Sequence, residues 1–282
     1  MNLQHVLGEI EKVDGEVYER LDTRRAALKS FKNIGAKVAL TAVPFALGSF
    51  FKKAYGQTSN NTQIIAILNY ALTLEYLEAE FYQKGIQNFA AIGVPAGAAQ
   101  GAINTIAAHE TAHVTFLTNT IKTLGGAPVA KPTFDFFGNK GKGGGPFATV
   151  FSNYTTFLAV AQTFEDTGVR AYKGRAPELV KTGDILTAAL KIHSVEARHA
   201  SHIRQMRKNS GQADVKPWIT LNNSGIGAIV AAAYAGEENT MQANVQITNI
   251  NGTGITADAA SESFDEPLTP AQVLAIVDPF IV

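Results

Sequence analysis

Four stretches of the chain place apolar residues at the three- and four-residue spacing of an amphipathic helix. The spacing predicts helices over residues 60–82, 97–124, 146–172 and 184–208. Residues 60–62 offer caps for the first helix, and Gly125 and Gly126 end the second. Residues 125–145, between the second and third helices, are too many for a tight turn. The pattern therefore predicts an all-α four-helix bundle with a long crossover between helices two and three.

Each apolar seam is interrupted near its middle by residues that can bind a metal ion. These are Glu75 in helix one, Glu110 and His113 in helix two, Glu165 in helix three, and Glu196 and His199 in helix four. Residues three apart share one face of a helix, so each Glu-x-x-His pair can direct a carboxylate and an imidazole to one point. The pattern therefore predicts that the four helices enclose a site for two metal ions.

The two halves of the bundle repeat one pattern, which we interpret as a duplicated helical hairpin. A glutamate precedes a tyrosine by seven residues in both halves, and a Glu-x-x-His frame follows. The pairs are Glu75 with Tyr82 and Glu165 with Tyr172. Glu78 shares a helix face with Glu75 and competes for the same role. The internal alignment pairs Glu78 with Gly168, which favours Glu75 as the ligand.

Several polar residues beside the candidate ligands have a less specific predicted role. Asp166 is a candidate for orienting a ligand histidine, while His109, His193 and His202 flank the motifs on other helix faces. Glu237 follows a glycine and is expected in a solvated turn.

The buried set also favours a metal on energetic grounds. Burying four carboxylates and two imidazoles without a cation costs many kcal/mol through desolvation and mutual repulsion. Bound metal removes that cost, whereas the alternative is a bundle that keeps these residues as a protonated hydrogen-bond network. The donor set suits iron or manganese, and affinity order does not choose between them.

Composition, charge and cysteine content exclude several classes of partner and of functional site. The 282 residues are 46% hydrophobic and 17% charged, as in a globular domain. There are 24 basic and 24 acidic residues, and no basic run follows a helix face in the body of the chain, so no nucleic-acid partner is expected. The absence of cysteine excludes disulfides, thiolate nucleophiles and iron–sulfur ligation.

Residues 1–56 are interpreted as a twin-arginine-type export signal. Residues 23–29 contain Arg24 and Arg25, an apolar stretch covers residues 38–51, and residues 54–56 offer a cleavage site. The apolar stretch is shorter than the ~20 residues that a spanning helix needs. We expect an exported protein of the periplasm or cell envelope, without stable membrane insertion once processed. Anchoring by an uncleaved N-terminus is the alternative.

The sequence predicts three segments in all: the signal at 1–56, the bundle at 57–209 and a C-terminal extension at 210–282 that packs on the bundle. The extension is irregular, with an Ala-rich helix near 225–235, an extended piece at 245–250 and a final helix starting at a capping box. The aromatic cluster at 134–137, in the crossover, is expected to pack on the outside of the bundle.

These motifs resemble the ferritin-like superfamily and, within it, exported ferritin-like proteins related to plant desiccation-related proteins. The resemblance covers about residues 60–280, through residues 68–78, 109–113, 164–169 and 264–268. It implies a ferritin-like bundle in which six side chains bind two ions. Glu110 and Glu196 would bridge the ions, Glu75 and Glu165 would be terminal ligands, and His113 and His199 would each complete one ion.

Three functions stay open. The leading one is oxidation of Fe(II), or consumption of oxygen or hydrogen peroxide, at a di-iron or dimanganese centre in stress protection. The close alternative is peroxide disproportionation, as in manganese catalases. The third is a non-catalytic structural protein of desiccation or stress. A glycosidase-type carboxylate pair would leave both histidines unexplained. The expected small-molecule partner is oxygen or hydrogen peroxide, and a homo-oligomer is compatible with the sequence.

Overall fold

The structure is a computed structural model that describes residues 61–212, 215–252 and 254–282. The predicted export signal, residues 1–56, lies outside the described residues, as does the predicted cap at Asn60. Seven α-helices are described: α1 Asn61–Gln87, α2 Phe89–Ile92, α3 Ala98–Thr123, α4 Tyr154–Arg175, α5 Asp184–Asn209, α6 Ala257–Ser261 and α7 Pro270–Val277. Short 3-10 helices cover Ala176–Leu179, Ala228–Ala233, Ile250–Gly252 and Asp278–Phe280.

The four long helices form the predicted bundle. α1 packs along α3 and α4 packs along α5, while contacts of α1 with α4 and of α3 with α5 join the two pairs. Aromatic rings fill much of the space between the pairs. Phe81 of α1 stacks on Phe157 of α4 with ring centroids 4.9 Å apart and meets Phe164 edge to face. The all-α bundle with a long connection between α3 and α4 is confirmed.

Helix α4 starts later than the apolar spacing predicted. Residues 146–152 form turns, and the helix begins at Tyr154. Asn153 sets this start, because its side-chain oxygen accepts a hydrogen bond from the backbone N–H of Thr156 at 2.9 Å. This cap satisfies an otherwise free N–H of the first turn, so the predicted start at Pro146 was wrong.

The aromatic cluster of the crossover reaches the core, contrary to the expectation that it packs outside. Phe134 and Phe136 are buried, and Phe136 lies 5.6 Å from the Phe81 ring. Phe134 also pairs with Ile281 in an antiparallel bridge. The crossover is therefore tied to the end of the chain, a contact that local spacing does not reveal.

The C-terminal extension is irregular, as predicted, but its elements are shorter than expected and include the unpredicted helix α6. Its Ala-rich segment is the six-residue 3-10 helix Ala228–Ala233, and the extended piece is a two-residue strand, β2 Val245–Gln246, paired antiparallel with β1 Met241–Gln242. The capping box at Thr269 is confirmed, with Gln272 as its partner. Both α7 and the 3-10 helix Ala228–Ala233 pack on α4.

A buried arginine of α4 holds the extension in place. Arg170 is 1% exposed and donates hydrogen bonds to the carbonyl oxygens of Ala233, Ala235 and Glu266 at 2.5, 2.7 and 2.8 Å. Its Nε also lies 2.7 Å from a carboxylate oxygen of Glu237, which is equally buried. The expectation of a solvated turn at Glu237 was wrong, because the residue is needed as the counter-charge of Arg170.

A second buried polar cluster joins α4 to α5 and the extension. Asp166 pairs with Arg204 and accepts a hydrogen bond from the Tyr234 hydroxyl at 2.7 Å. Its carboxylate is committed to these partners, so the expectation that Asp166 orients a ligand histidine was wrong. Arg207 donates to the carbonyl oxygen of Gly225 at 2.7 Å and to Gln162 at 2.5 Å.

Among the described residues, no helix combines the length and apolar character needed to cross a membrane.

Candidate metal centre

The four long helices bring the six predicted side chains together near mid-height of the bundle. Burial is complete for the four carboxylates, Glu75, Glu110, Glu165 and Glu196, and nearly complete for the imidazoles of His113 and His199. The helical period explains this placement, because each residue occupies the inward seam of its helix.

The ligand atoms form two overlapping groups, each within 4.8 Å. One group contains Glu75, Glu110, His113 and Glu196, and the other contains Glu110, Glu165, Glu196 and His199. Glu110 and Glu196 belong to both, so their carboxylates lie between two positions that an ion could occupy. Each position also has one carboxylate and one imidazole of its own.

Both histidines turn the same ring nitrogen toward the carboxylates. His113 Nδ1 lies 3.1 Å from oxygens of Glu75 and Glu110 and 3.3 Å from Glu196. His199 Nδ1 lies 2.8 Å from Glu110 and 3.2 Å from Glu165. Once its proton is displaced, each Nδ1 would direct a lone pair to a point that several carboxylates also face, which suits a shared cation.

A ferritin-like domain model matches residues 63–209, just over half of the chain. The chain belongs to the ferritin-like domain family. The matched region contains nearly all of α1 and the whole of α3, α4 and α5, and therefore both groups of ligand atoms. No curated protein matched the chain. The family assignment fits the bundle and its buried Glu/His cluster, which could hold metal ions.

Two tyrosines hold the outer carboxylates of the ferritin-like domain. The Tyr82 hydroxyl of α1 donates to Glu165 of α4 at 2.5 Å, and the Tyr172 hydroxyl of α4 donates to Glu75 of α1. The two bonds are reciprocal, as expected for the repeated pattern in the sequence. Burial gives both rings a structural role, and the hydroxyls fix the rotamers of the two carboxylates.

One of the two histidines has an imidazole partner outside the cluster. His109 Nδ1 lies 2.9 Å from Nε2 of His199, and the two rings stack with centroids 5.2 Å apart. With a proton on His199 Nε2 held by His109, Nδ1 of His199 is left to donate to the carboxylates or, once deprotonated, to bind an ion. Position 195, which corresponds to His109 in the second half, is Val195, so the two histidine positions differ. His193 instead contacts the Val169 carbonyl oxygen at 2.9 Å, and His202 is exposed.

Unsatisfied oxygens show that the ferritin-like cluster fits cations. Glu196 Oε2 is buried and has no hydrogen-bond or ion-pair partner among the described residues, while Glu110 Oε1 and Glu196 Oε1 have only a histidine Nδ1 beside them, at 2.8 and 3.3 Å. Buried carboxylate oxygens normally have a donor, since leaving them unpaired is costly. These three atoms belong to the two residues shared by both groups, where ions would supply the missing partners.

Protons balance the charge of the cluster in the absence of metal. Burial, and then the charge of Glu196, raises the pKa of Glu110 to about 7. Burial, and then the charge of Glu75, raises the pKa of Glu196 to about 8. Burial lowers the pKa of His199, but Glu165 and Glu110 outweigh it and raise this pKa to about 11. Near neutral pH the metal-free site therefore holds protons, which an entering cation must displace.

The outer carboxylate Glu75 behaves differently from the shared pair. Burial raises its pKa, but the charge of His113 and the hydrogen bonds to His113, Glu110 and Tyr172 outweigh that effect and hold the pKa below its usual value. The same carboxylates raise the pKa of His113 far above its ordinary range, against the lowering by burial. Glu75 and His113 thus form an ion pair, and a metal ion bound there would have to displace the proton of His113.

The internal repeat favours Glu75 over Glu78 as a ligand, yet Glu78 also lies next to the cluster. It is 4% exposed. Burial, followed by the charges of Glu196, Glu110 and other site glutamates, raises the pKa of Glu78 well above its usual value. Glu78 belongs to neither group of ligand atoms, but Glu78 Oε1 and Glu196 Oε2 both lie against Gly168, so a fifth carboxylate stands next to the cluster.

Proposed function

We propose that the protein binds two iron or manganese ions in its ferritin-like domain and uses them to oxidise Fe(II) or to consume oxygen or hydrogen peroxide. The sharing of Glu110 and Glu196 by two groups of ligand atoms is the observation that carries the proposal. Glu110 and Glu196 would bridge the ions. Glu75 with His113 would complete one ion, and Glu165 with His199 would complete the other.

The chain's own residues prepare this site for redox chemistry. Two ions bound side by side would supply electrons to oxygen or peroxide, or accept them. Four carboxylates match the charge of two divalent ions. Tyr82 and Tyr172 hold the outer carboxylates in position, and the apolar seams around the cluster exclude bulk water.

The two proposed reactions differ in the molecule that supplies the electrons. In Fe(II) oxidation, two Fe(II) ions lose one electron each, and hydrogen peroxide takes both electrons with two protons to give two water molecules. In disproportionation, one peroxide molecule is oxidised to oxygen while another is reduced to two water molecules. The second reaction is the alternative for a dimanganese site, and it differs from the first in releasing oxygen.

We also propose that the protein acts outside the cytoplasm in protection against stress. The twin-arginine pattern at residues 23–29 supports export. Oxygen or hydrogen peroxide is the proposed small-molecule partner. A twin-arginine route carries folded proteins, which suits a protein that takes up its metal before export.

Turnover by metal-loaded protein tests this proposal. The full chain is loaded with Fe(II) or Mn(II), and oxygen uptake, Fe(II) oxidation and peroxide loss are followed. The Glu75→Gln/Glu165→Gln variant should lose most activity, because each ion loses its own carboxylate. Glu80→Gln is the matched control on α1, since Glu80 pairs with Lys84 and Lys131 outside the cluster.

The products separate the alternatives. Oxygen release from peroxide with manganese identifies disproportionation, while Fe(II) oxidation without oxygen release supports the leading function. Loaded protein that turns over neither Fe(II) nor peroxide would contradict the redox function and favour a structural role in stress or desiccation. Full activity in the Glu75→Gln/Glu165→Gln variant would contradict the site.

A further inference from the structure

Glu78 is a buried carboxylate without a partner. No hydrogen bond or ion pair joins its carboxylate to any residue in the described part of the chain, although neighbouring Glu80 pairs with Lys84 and Lys131. The charges that act on Glu78 are those of the site glutamates. Such an arrangement is unfavourable unless a proton or a cation offsets the negative charge.

A glycine of α4 makes room for this carboxylate. A Cβ atom on Gly168 would lie 3.2 Å from Glu78 Oε1 and 2.8 Å from Glu196 Oε2. The two oxygens therefore flank one point on α4, and Glu196 Oε2 is itself buried without a partner. Any larger residue at position 168 would press on both carboxylates. The internal repeat aligns Glu78 with Gly168, so one half of the bundle supplies the carboxylate and the other half supplies its space.

A small cavity lies against the same groups. Its lining includes Glu78, Gly168 and Thr167, together with apolar side chains of α1 and α4 and Val277 of α7. The Thr167 hydroxyl donates to the carbonyl oxygen of Thr163, so it does not serve Glu78. Glu78 is thus the one carboxylate in a lining that is otherwise mainly apolar, next to a shared carboxylate of the metal centre.

We propose that Glu78 is a seventh metal-binding side chain and the fifth carboxylate of the site. It would reach the two metal ions next to Glu196, on the side where Gly168 leaves space. This inference rests on the proposed two-metal site. It gives that site an asymmetry that the six repeated ligands lack, since α4 offers glycine where α1 offers glutamate.

Charge balance gives the extra carboxylate a chemical consequence. Four carboxylates neutralise two divalent ions, whereas five leave one negative charge in excess. Oxidation to two trivalent ions reverses the sign and leaves one positive charge. Ionised Glu78 would therefore stabilise an oxidised pair of ions relative to a reduced pair, which would favour reaction with oxygen or peroxide.

Equilibrium metal binding tests the inference independently of turnover. Binding of Mn(II) and Fe(II) to the full chain is measured by competition with a chelator for the unchanged protein and the Glu78→Gln variant. Glu80→Gln is the matched control from the same helix. We expect Glu78→Gln to weaken binding of at least one ion by about 10- to 100-fold, with no change in Glu80→Gln. The potential of the bound pair should also rise in Glu78→Gln.

Circular dichroism and thermal unfolding of the metal-free variants exclude misfolding as the cause. Metal-free Glu78→Gln should be at least as stable as the unchanged protein, since an amide removes the buried acid. Unaltered affinity and unaltered potential in Glu78→Gln would overturn this inference while the two-metal proposal stands. Absence of metal binding by the unchanged protein would overturn the two-metal proposal itself.

Discussion

Replacing Arg170 with alanine should loosen the C-terminal extension from the bundle. The guanidinium donates to the carbonyl oxygens of Ala233, Ala235 and Glu266, and pairs with Glu237. Its loss leaves the Glu237 carboxylate buried with one hydrogen bond, from the backbone N–H of Glu266. One oxygen of Glu237 has no hydrogen-bond partner within the described residues even with Arg170 present.

The expected cost follows from that uncompensated charge. Removing one partner of a buried ion pair costs about 3–5 kcal/mol. For a domain of this size, about 2–4 °C are lost per kcal/mol, so the unfolding midpoint should fall by about 6–20 °C. Arg170→Met/Glu237→Gln should recover much of the loss, because neither residue then leaves a buried charge.

Urea unfolding followed by circular dichroism measures the free energy of unfolding, and limited proteolysis shows whether the extension opens first. Arg198→Ala is the matched control, since Arg198 is exposed on α5 and should change stability by about 0.5 kcal/mol or less. A cost below about 1 kcal/mol for Arg170→Ala would refute the reasoning. An Arg170→Met/Glu237→Gln variant as unstable as Arg170→Ala would also refute it.

Three further outcomes are expected. Metal affinity should rise with pH from about pH 6 upward, since Glu110 and Glu196, with pKa values of about 7 and 8, and His199, with a pKa of about 11, must release protons. A pH-independent affinity in chelator competition would refute this. Fe(II) or Mn(II) at about 1,000 times its dissociation constant should stabilise the fold by about 4 kcal/mol. An unfolding midpoint that calorimetry finds unchanged by the metal would count against the site. Gly174→Ala should cost about 1–3 kcal/mol or more, because the new Cβ would collide with the Leu268 carbonyl oxygen; an unchanged urea midpoint would disprove that contact.

The bundle and the meeting of six side chains could be predicted because both follow from helical period. Glu110 and His113 must share a face wherever helix α3 forms, and an apolar seam turns that face inward. The repeat of the same frame at Glu196 and His199 then indicates a common centre. No long-range contact had to be known in advance.

Other features depend on contacts between distant segments and could not be read from spacing. Arg170 and Glu237 are far apart in the sequence, and Glu237 stands in a glycine-containing segment that is typical of a solvated turn. The start of α4 depends on whether Asn153 caps a helix, which the apolar period does not encode. Phe134 is held in the core by its bridge to Ile281 near the end of the chain, and Phe136 by its contact with the Phe81 ring.

Glu78 is an intermediate case. The internal repeat ranked it below Glu75 because Gly168 occupies the corresponding position. The structure shows that this glycine is the reason Glu78 fits, since a side chain there would press on its carboxylate. A difference between two repeats was thus a signal of asymmetry at the site.

Metal content measured by elemental mass spectrometry tests the central claim most directly. The full chain is compared with Glu110→Ala/Glu196→Ala, which removes both shared carboxylates, and with Glu80→Gln as the surface control. We expect about two iron or manganese ions per chain in the unchanged protein and in the control, and almost none in the double variant. Metal-free unchanged protein, or equal metal content in the double variant, would contradict it.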